Sequence, residues 1–239
     1  MKIDILAIGV HPDDVELSCA GTLLAHQGMG YQSAILDLTA GELGTRGSGP
    51  LRLKEAEVAR KLLGIERRIN LGLEDGFFDH SKENKLRIVE VVRDFQPTIV
   101  LANAVDDRHP DHGRAAKLIY DACFLAGLVK VETQNSQGEI QDRWRPKAIY
   151  HYIQDKVLLP DLVVDITGHM DKKMESIMAY RSQFFDPDSH EPDSAISGQD
   201  FLEFIKARAR TYGRQIGVDY GEGYISARPP GIANLLDLI

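Results

Sequence analysis

Between residues 3 and 125 the chain repeats one pattern four times: a short apolar run, then a segment whose apolar positions recur at helical spacing. The runs at 3–10, 32–38, 67–71 and 98–102 read as strands, and the segments at 15–27, 51–63, 85–95 and 112–125 read as helices. In the first helix Val15, Cys19, Leu23 and Leu24 share a face, and Gly28 and Gly30 stop it. Strand–helix alternation of this kind leaves a chain few options. It predicts a parallel sheet with helices on both faces. The expected fold class is therefore α/β, a Rossmann-like open, mostly parallel sheet. No repeat, low-complexity tract or linker interrupts it, so a single domain over residues 1–239 is expected. In the doubly wound order 3-2-1-4, strands one and four are neighbours across the reversal point, where such sheets bind ligands.

Chemistry-bearing residues fall at those two strands. The first strand runs into His11-Pro12-Asp13-Asp14, and the fourth leads through Asp106-Asp107-Arg108 into His109-Pro110-Asp111-His112. A catalytic zinc takes three nitrogen or oxygen ligands from protein and keeps one position for water. His11 and Asp14, three residues apart at a helix start, can turn their side chains the same way. Either His109 or His112 completes the set. Without cysteine the donors suit Zn2+, with Fe2+ or another divalent metal as alternatives. Water on such a metal loses its proton near neutral pH, and Asp13, facing elsewhere, is the candidate general base. The remaining histidine, held by Asp111, would stay protonated and serve as an acid or stabilise an oxyanion. This inventory fits hydrolysis of an amide or ester. One cluster alone reads as readily as a capped helix with a surface ion pair. Two clusters at adjacent strand ends favour the metal.

Residues 39–50 carry four glycines and form a long loop on the same sheet edge. Arg46 within it and Arg52 just after it are candidates to bind a substrate anion; the competing reading is a pair of solvated arginines. Residues 73–84 are irregular, with His80 a loop histidine. Residues 128–145 are polar, with a loop tip or flap at 134–138. Later strands are expected at 148–153 and 162–166, and helices at 171–181 and 199–212. The segment 184–197 between those helices reads as loop. His151 ends a strand and is a candidate to line the site; His26, His169 and His190 read as surface or satisfied-core residues. The tail 220–239 ends in Ile232, Leu235, Leu236, Leu238 and Ile239, expected to pack on the body or at a subunit interface.

Composition excludes several classes. The net charge is −8 with no basic stripe, so no nucleic-acid partner is expected. No apolar run approaches a membrane span, and the N-terminus reads as a strand and not a signal peptide. No membrane partner is expected, and the expected location is the cytoplasm. Cys19 and Cys123 read as buried free thiols.

The paired motifs, His-Pro-Asp-Asp after the first strand and His-Pro-Asp-His from residue 109, resemble the PIG-L/LmbE-like zinc-dependent N-acetylglucosaminide deacetylases, over most of the chain. That resemblance implies zinc ligation by His11, Asp14 and His112, with Asp13 as general base. It also implies His109 as the oxyanion-stabilising or acid histidine, oriented by Asp111. Where many members have Glu directly after the first motif, this chain has Val15 and then Glu16, which displaces no ligand. Residues 41–47 and 224–228 are most similar to the branch that makes bacillithiol, which removes acetate from N-acetylglucosaminyl malate. An anionic malate would employ Arg46 and Arg52 through bidentate contacts. Family members commonly form homo-oligomers, trimers or hexamers. The expected partner is thus a small acetylated amino sugar. Alternatives are other N-acetylglucosaminides such as chitooligosaccharides, hydrolysis of a phosphate or another amide at the same centre, and a non-catalytic carbohydrate-binding domain. A nucleotide-binding domain is disfavoured by the lack of a GxGxxG or P-loop sequence.

Overall fold

A computed structural model describes residues 2–238. In chain order it runs β1 (Ile5–Gly9), α1 (Asp14–Ser18), α2 (Ala20–Gly28), β2 (Ser33–Thr39), α3 (Gly49–Leu62), β3 (Arg67–Leu73) and α4 (Lys82–Phe95). It continues with β4 (Ile99–Ala102), α5 (Pro110–Ala126), β5 (Ala148–Tyr152), β6 (Leu162–Asp165), α6 (Met170–Met178), α7 (Gln199–Gln215) and β7 (Gly221–Ser226). The strands form one sheet in the order β3-β2-β1-β4-β5-β7-β6. β7 is antiparallel to both neighbours, while β1 to β5 pair in parallel. The expected α/β fold with a mostly parallel sheet is what the chain adopts. β1 lies between β2 and β4, so the sheet reverses between the two strands that precede the histidine clusters.

Alternation along the central strands divides the core. Leu6 and Ile8 face one side and pack with Ile88, Val92, Leu118 and Ile119 of α4 and α5. Ile5 and Ala7 face the other and pack with Val15, Cys19 and Leu23. A third cluster, with Ile177, Phe184 and Ile205, joins α3, α6 and α7. Strands buried on both faces read as continuous apolar runs, which is why β1 and β2 stand out in the sequence. Among the described residues no helix is long and apolar enough to cross a membrane.

Three expectations change. The helix expected over 15–27 is two helices, broken at Cys19 (φ −140°, ψ 9°). The break lets α2 start against β7: the Glu222 carboxylate accepts from the backbone N–H of Gly21 at 3.0 Å and of Thr22 at 2.7 Å. A helix N-terminus with no side-chain cap of its own thus gains a buried anion. The tail contains β7, which the sequence hides behind two glycines and a glutamate. Glu222 is buried because Lys173 Nζ lies 2.5 Å away. Finally, Leu235 and Leu236 are 78% and 69% exposed, so they do not pack on the body. Ile239 lies outside the described residues.

Candidate active site

The loop after β1 turns back on itself around Asp14. Its Oδ2 accepts from the backbone N–H of Val10 at 2.8 Å and of His11 at 3.0 Å. Asn103, just past β4, donates its Nδ2 to the same oxygen at 2.9 Å. Gln154, just past β5, donates Nε2 to Oδ1 at 2.7 Å. Ends of three adjacent parallel strands thereby converge on one carboxylate. The tight turn forces Asp13 to φ 136°, ψ −22°, far from the ordinary regions for a residue with a Cβ. Strain of this kind costs about 1–3 kcal/mol and concentrates at functional sites.

The second cluster arrives from the start of α5. His112 Nε2 is 3.3 Å from Asp14 Oδ1, and its Nδ1 is bonded to Asp107 Oδ2. His11 Nδ1 is 3.9 Å from Asp14 Oδ2, and its Nε2 is 3.0 Å from Asp75 Oδ1. His109 caps α5: its Nδ1 accepts the Asp111 backbone N–H at 3.3 Å, which leaves the proton on Nε2. Ring nitrogens of His11, His109 and His112 all lie within 4.8 Å of one another. Three imidazoles, those of His11 and His112 buried and that of His109 half-buried, suit a divalent cation of the zinc or iron type. Each of His11 and His112 has one nitrogen held by a carboxylate and the other turned toward Asp14, the arrangement that orients metal-binding histidines. Asp75 and Asp107, which do that holding, are not identified by the sequence motifs. Asp107 lies in the acidic run before the second motif, while nothing local marks Asp75, in the irregular stretch after β3.

Electrostatics separate the two neighbouring carboxyls. Burial is the largest influence on both and raises them. For Asp14 the charge and hydrogen bond of His112, with His11, outweigh it and hold the carboxyl well below its ordinary range. For Asp13 burial prevails over Arg52, and the carboxyl is pushed up to about 7. A protonation state poised near neutrality suits a general base. Burial pulls His112 down, but Asp14 and Asp107 push it up to about 10. Burial, then the charges of His11 and His112, lower His109. With Nδ1 accepting from the backbone, His109 has its Nε2–H to offer to the cavity that it lines.

The remaining candidates divide. Arg52 lies within the machinery itself and is not a free anion-binding arm: its Nη2 donates to Asp13 Oδ2 at 2.8 Å and to Pro12 O at 3.0 Å. Gly41 (φ +64°) makes room for it, since a Cβ there would lie 2.6 Å from Arg52 Cζ. The Asp111 carboxylate does not orient His109. It accepts from the Gly76 N–H at 2.9 Å and pairs with Arg114 Nη1 at 2.9 Å. His151 sits behind the site, with Nδ1 2.8 Å from Asn103 O. His11, Asp13, Asp14, His109, His112, Arg46 and Arg52 line a cavity of about 620 Å³. Residues 193–196 and the α7 side chains Phe201, Ile205 and Arg208 complete its wall. Residues 128–145 do not line it. They pack against α4 instead, where Arg93 donates to Leu128 O, Val131 O and Thr133 Oγ1.

An open α/β sheet whose reversal point gathers three imidazoles beside the carboxyls of Asp13 and Asp14 offers the donors that a metal-dependent hydrolase uses. The family profile PIG-L, described as GlcNAc-PI de-N-acetylase, matches residues 6–123, and the chain belongs to this PIG-L/LmbE deacetylase family. It is 28% identical over 230 residues to diacetylchitobiose deacetylase of Thermococcus kodakarensis, covering 92% of this chain and 81% of that one. It is 25% identical over 200 residues to a Bacillus anthracis protein described as "Probable N-acetyl-alpha-D-glucosaminyl L-malate deacetylase 2", covering 75% of this chain and 81% of the other. Its fold matches the crystal structure of a conserved protein from Thermus thermophilus, TT1542, with a TM-score of 0.85 and 34% identity, over 98% of each chain.

Proposed function

We propose that the protein is a metal-dependent N-deacetylase that hydrolyses the acetamide of an N-acetylglucosamine conjugate. One observation carries this reading: Asp13, buried and pushed up to about 7, faces the same cavity as His11, Asp14 and His112. His11, Asp14 and His112 would hold a divalent cation, Zn2+ first and Fe2+ or another divalent ion second, which when bound would supply Lewis acidity. Asp13 takes a proton from the attacking water as its oxygen bonds to the acetyl carbon. His109 donates its Nε2–H to the oxyanion that develops. Asp13 then delivers the proton to the sugar nitrogen as the C–N bond breaks, releasing acetate and a free amine. Arg52 fixes the Asp13 carboxyl throughout.

The substrate we favour is N-acetylglucosaminyl malate, as in bacillithiol formation. Likeness to the B. anthracis relative supports it, as does Arg46, buried at the cavity wall with its Nε lacking a partner. Likeness to the T. kodakarensis relative supports chitooligosaccharides as a second reading. Exposed Leu235 and Leu236 support a homo-oligomer, a trimer or hexamer, that would cover them. Acetate release from N-acetylglucosaminyl malate, free N-acetylglucosamine and chitooligosaccharides by the metal-reloaded protein tests the proposal. No release from any of them would remove the deacetylase reading.

A further inference from the structure

The two oxygens of the buried Asp14 are used unequally. Oδ2 accepts three N–H groups, from Val10 N at 2.8 Å, His11 N at 3.0 Å and Asn103 Nδ2 at 2.9 Å. An ionised carboxylate oxygen offers about two lone-pair sites, so Oδ2 has none to spare. Oδ1 accepts from Gln154 Nε2 at 2.7 Å and faces His112 Nε2 at 3.3 Å. Two ligand atoms in a zinc tetrahedron, each about 2.0–2.1 Å from the ion, stand about 3.3–3.4 Å apart. Oδ1 and His112 Nε2 are already at that separation.

The two amides are spent on this carboxylate. Neither Asn103 Oδ1 nor Gln154 Oε1 has a hydrogen-bond partner among the described residues, an expense that buried amides normally avoid. Turning either amide over would set its oxygen against an Asp14 oxygen, so the carboxylate fixes both orientations. Gln154 also lines the cavity, 5% exposed. The residues after it reach the donor set a second time. The backbone N–H groups of Asp155 and Lys156 donate to Asp107 Oδ1 at 3.0 and 2.7 Å, and Asp107 Oδ2 holds His112 Nδ1. Residues 154–156 thereby support both Asp14 and His112.

Resting on the metal-binding reading above, we propose that Gln154 is a positioning residue which, with Asn103, fixes Asp14 so that Oδ1 alone is offered to the cation. One-oxygen ligation holds the protein donors to two nitrogens and one oxygen and leaves positions open for water and substrate. A donor set so poor in oxygen favours ions that take imidazole over Mg2+ and Ca2+. No sequence motif reaches Gln154, which lies 140 residues from Asp14.

Two measurements test this without turnover. A crystal structure of the zinc-loaded protein should show Asp14 Oδ1 bonded to the ion and Oδ2 still on its three N–H groups; both oxygens on the ion would overturn the assignment. Chelator competition and the visible d–d absorption of bound Co2+ then compare the parent with Gln154→Met, which keeps the side chain's length and loses the N–H. A loss of Co2+ affinity of about 10–100-fold is expected, with a changed absorption band, in a protein that still melts cooperatively. Gln154→Asn, whose amide stops one carbon short of Asp14, should show the same loss and is the substitute if the methionine variant does not fold. Parental affinity and an unchanged band in these variants would overturn the role of Gln154 and leave the metal site standing. A parent protein that retains no Co2+ would remove the metal-binding reading, and this assignment with it.

Discussion

Arg52 Nη2 lies 2.8 Å from Asp13 Oδ2, both side chains buried, and this pair decides how Asp13 can act. Burial raises the carboxyl to about 7, and Arg52 is the largest influence opposing that rise. Removing the cation removes a lowering influence, so the Asp13 pKa moves up. Arg52→Met should shift the acid limb of kcat/KM to higher pH, each unit reducing the ionised fraction at neutral pH about tenfold. Arg52→Lys, which keeps the charge, should shift it less. A pH profile with an unmoved acid limb in Arg52→Met would show that Asp13 is not the titrating base.

Gly41→Ala should reproduce part of that phenotype without touching a charged residue. The added Cβ meets the Arg52 guanidinium at a backbone position of φ +64° that alanine adopts poorly. The same upward shift of the acid limb is expected, with a loss of stability of about 1 kcal/mol or more. Thermal melts alongside the pH profile separate the two effects.

Asp13→Asn should reduce kcat by about 10²–10⁴-fold, the usual contribution of general acid–base catalysis. Metal content should stay as in the parent protein, because Asp13 is not in the donor set. A separate stability effect is expected from its backbone. At φ 136° glycine is the more comfortable residue, so Asp13→Gly should melt above Asp13→Ala, by about 1–2 kcal/mol of stability.

Asp107→Ala and Asp75→Ala should each weaken metal retention. These carboxylates hold the far nitrogens of His112 and His11, and loss of such partners commonly lowers affinity by about 10–100-fold. Competition with a chromophoric chelator reads this directly. Unchanged affinity in both variants would place the cation elsewhere among these imidazoles.

Glu222→Gln should be destabilising by about 3–5 kcal/mol, since it leaves Lys173 charged and unpaired in the core. It also weakens the cap on α2. Lys173→Met in the same chain should recover part of the loss, because the stranded charge is gone. Urea denaturation of the single and double variants measures the recovery.

Sequence alone determined the parallel sheet, its 3-2-1-4 order and the meeting of the two histidine clusters. Those follow from short-range signals: apolar strands buried on both faces, helical periodicity, and motifs placed at strand ends. Tertiary structure decided what each charged group does. Arg52 was legible as a site residue but not as Asp13's partner, and Asp111 as a member of its motif but not as Arg114's. Asp75 and Glu222 act on residues far along the chain or across the sheet, and no spacing rule encodes which buried charge finds which counter-charge. Desolvation favours pairing. Only packing fixes the partners.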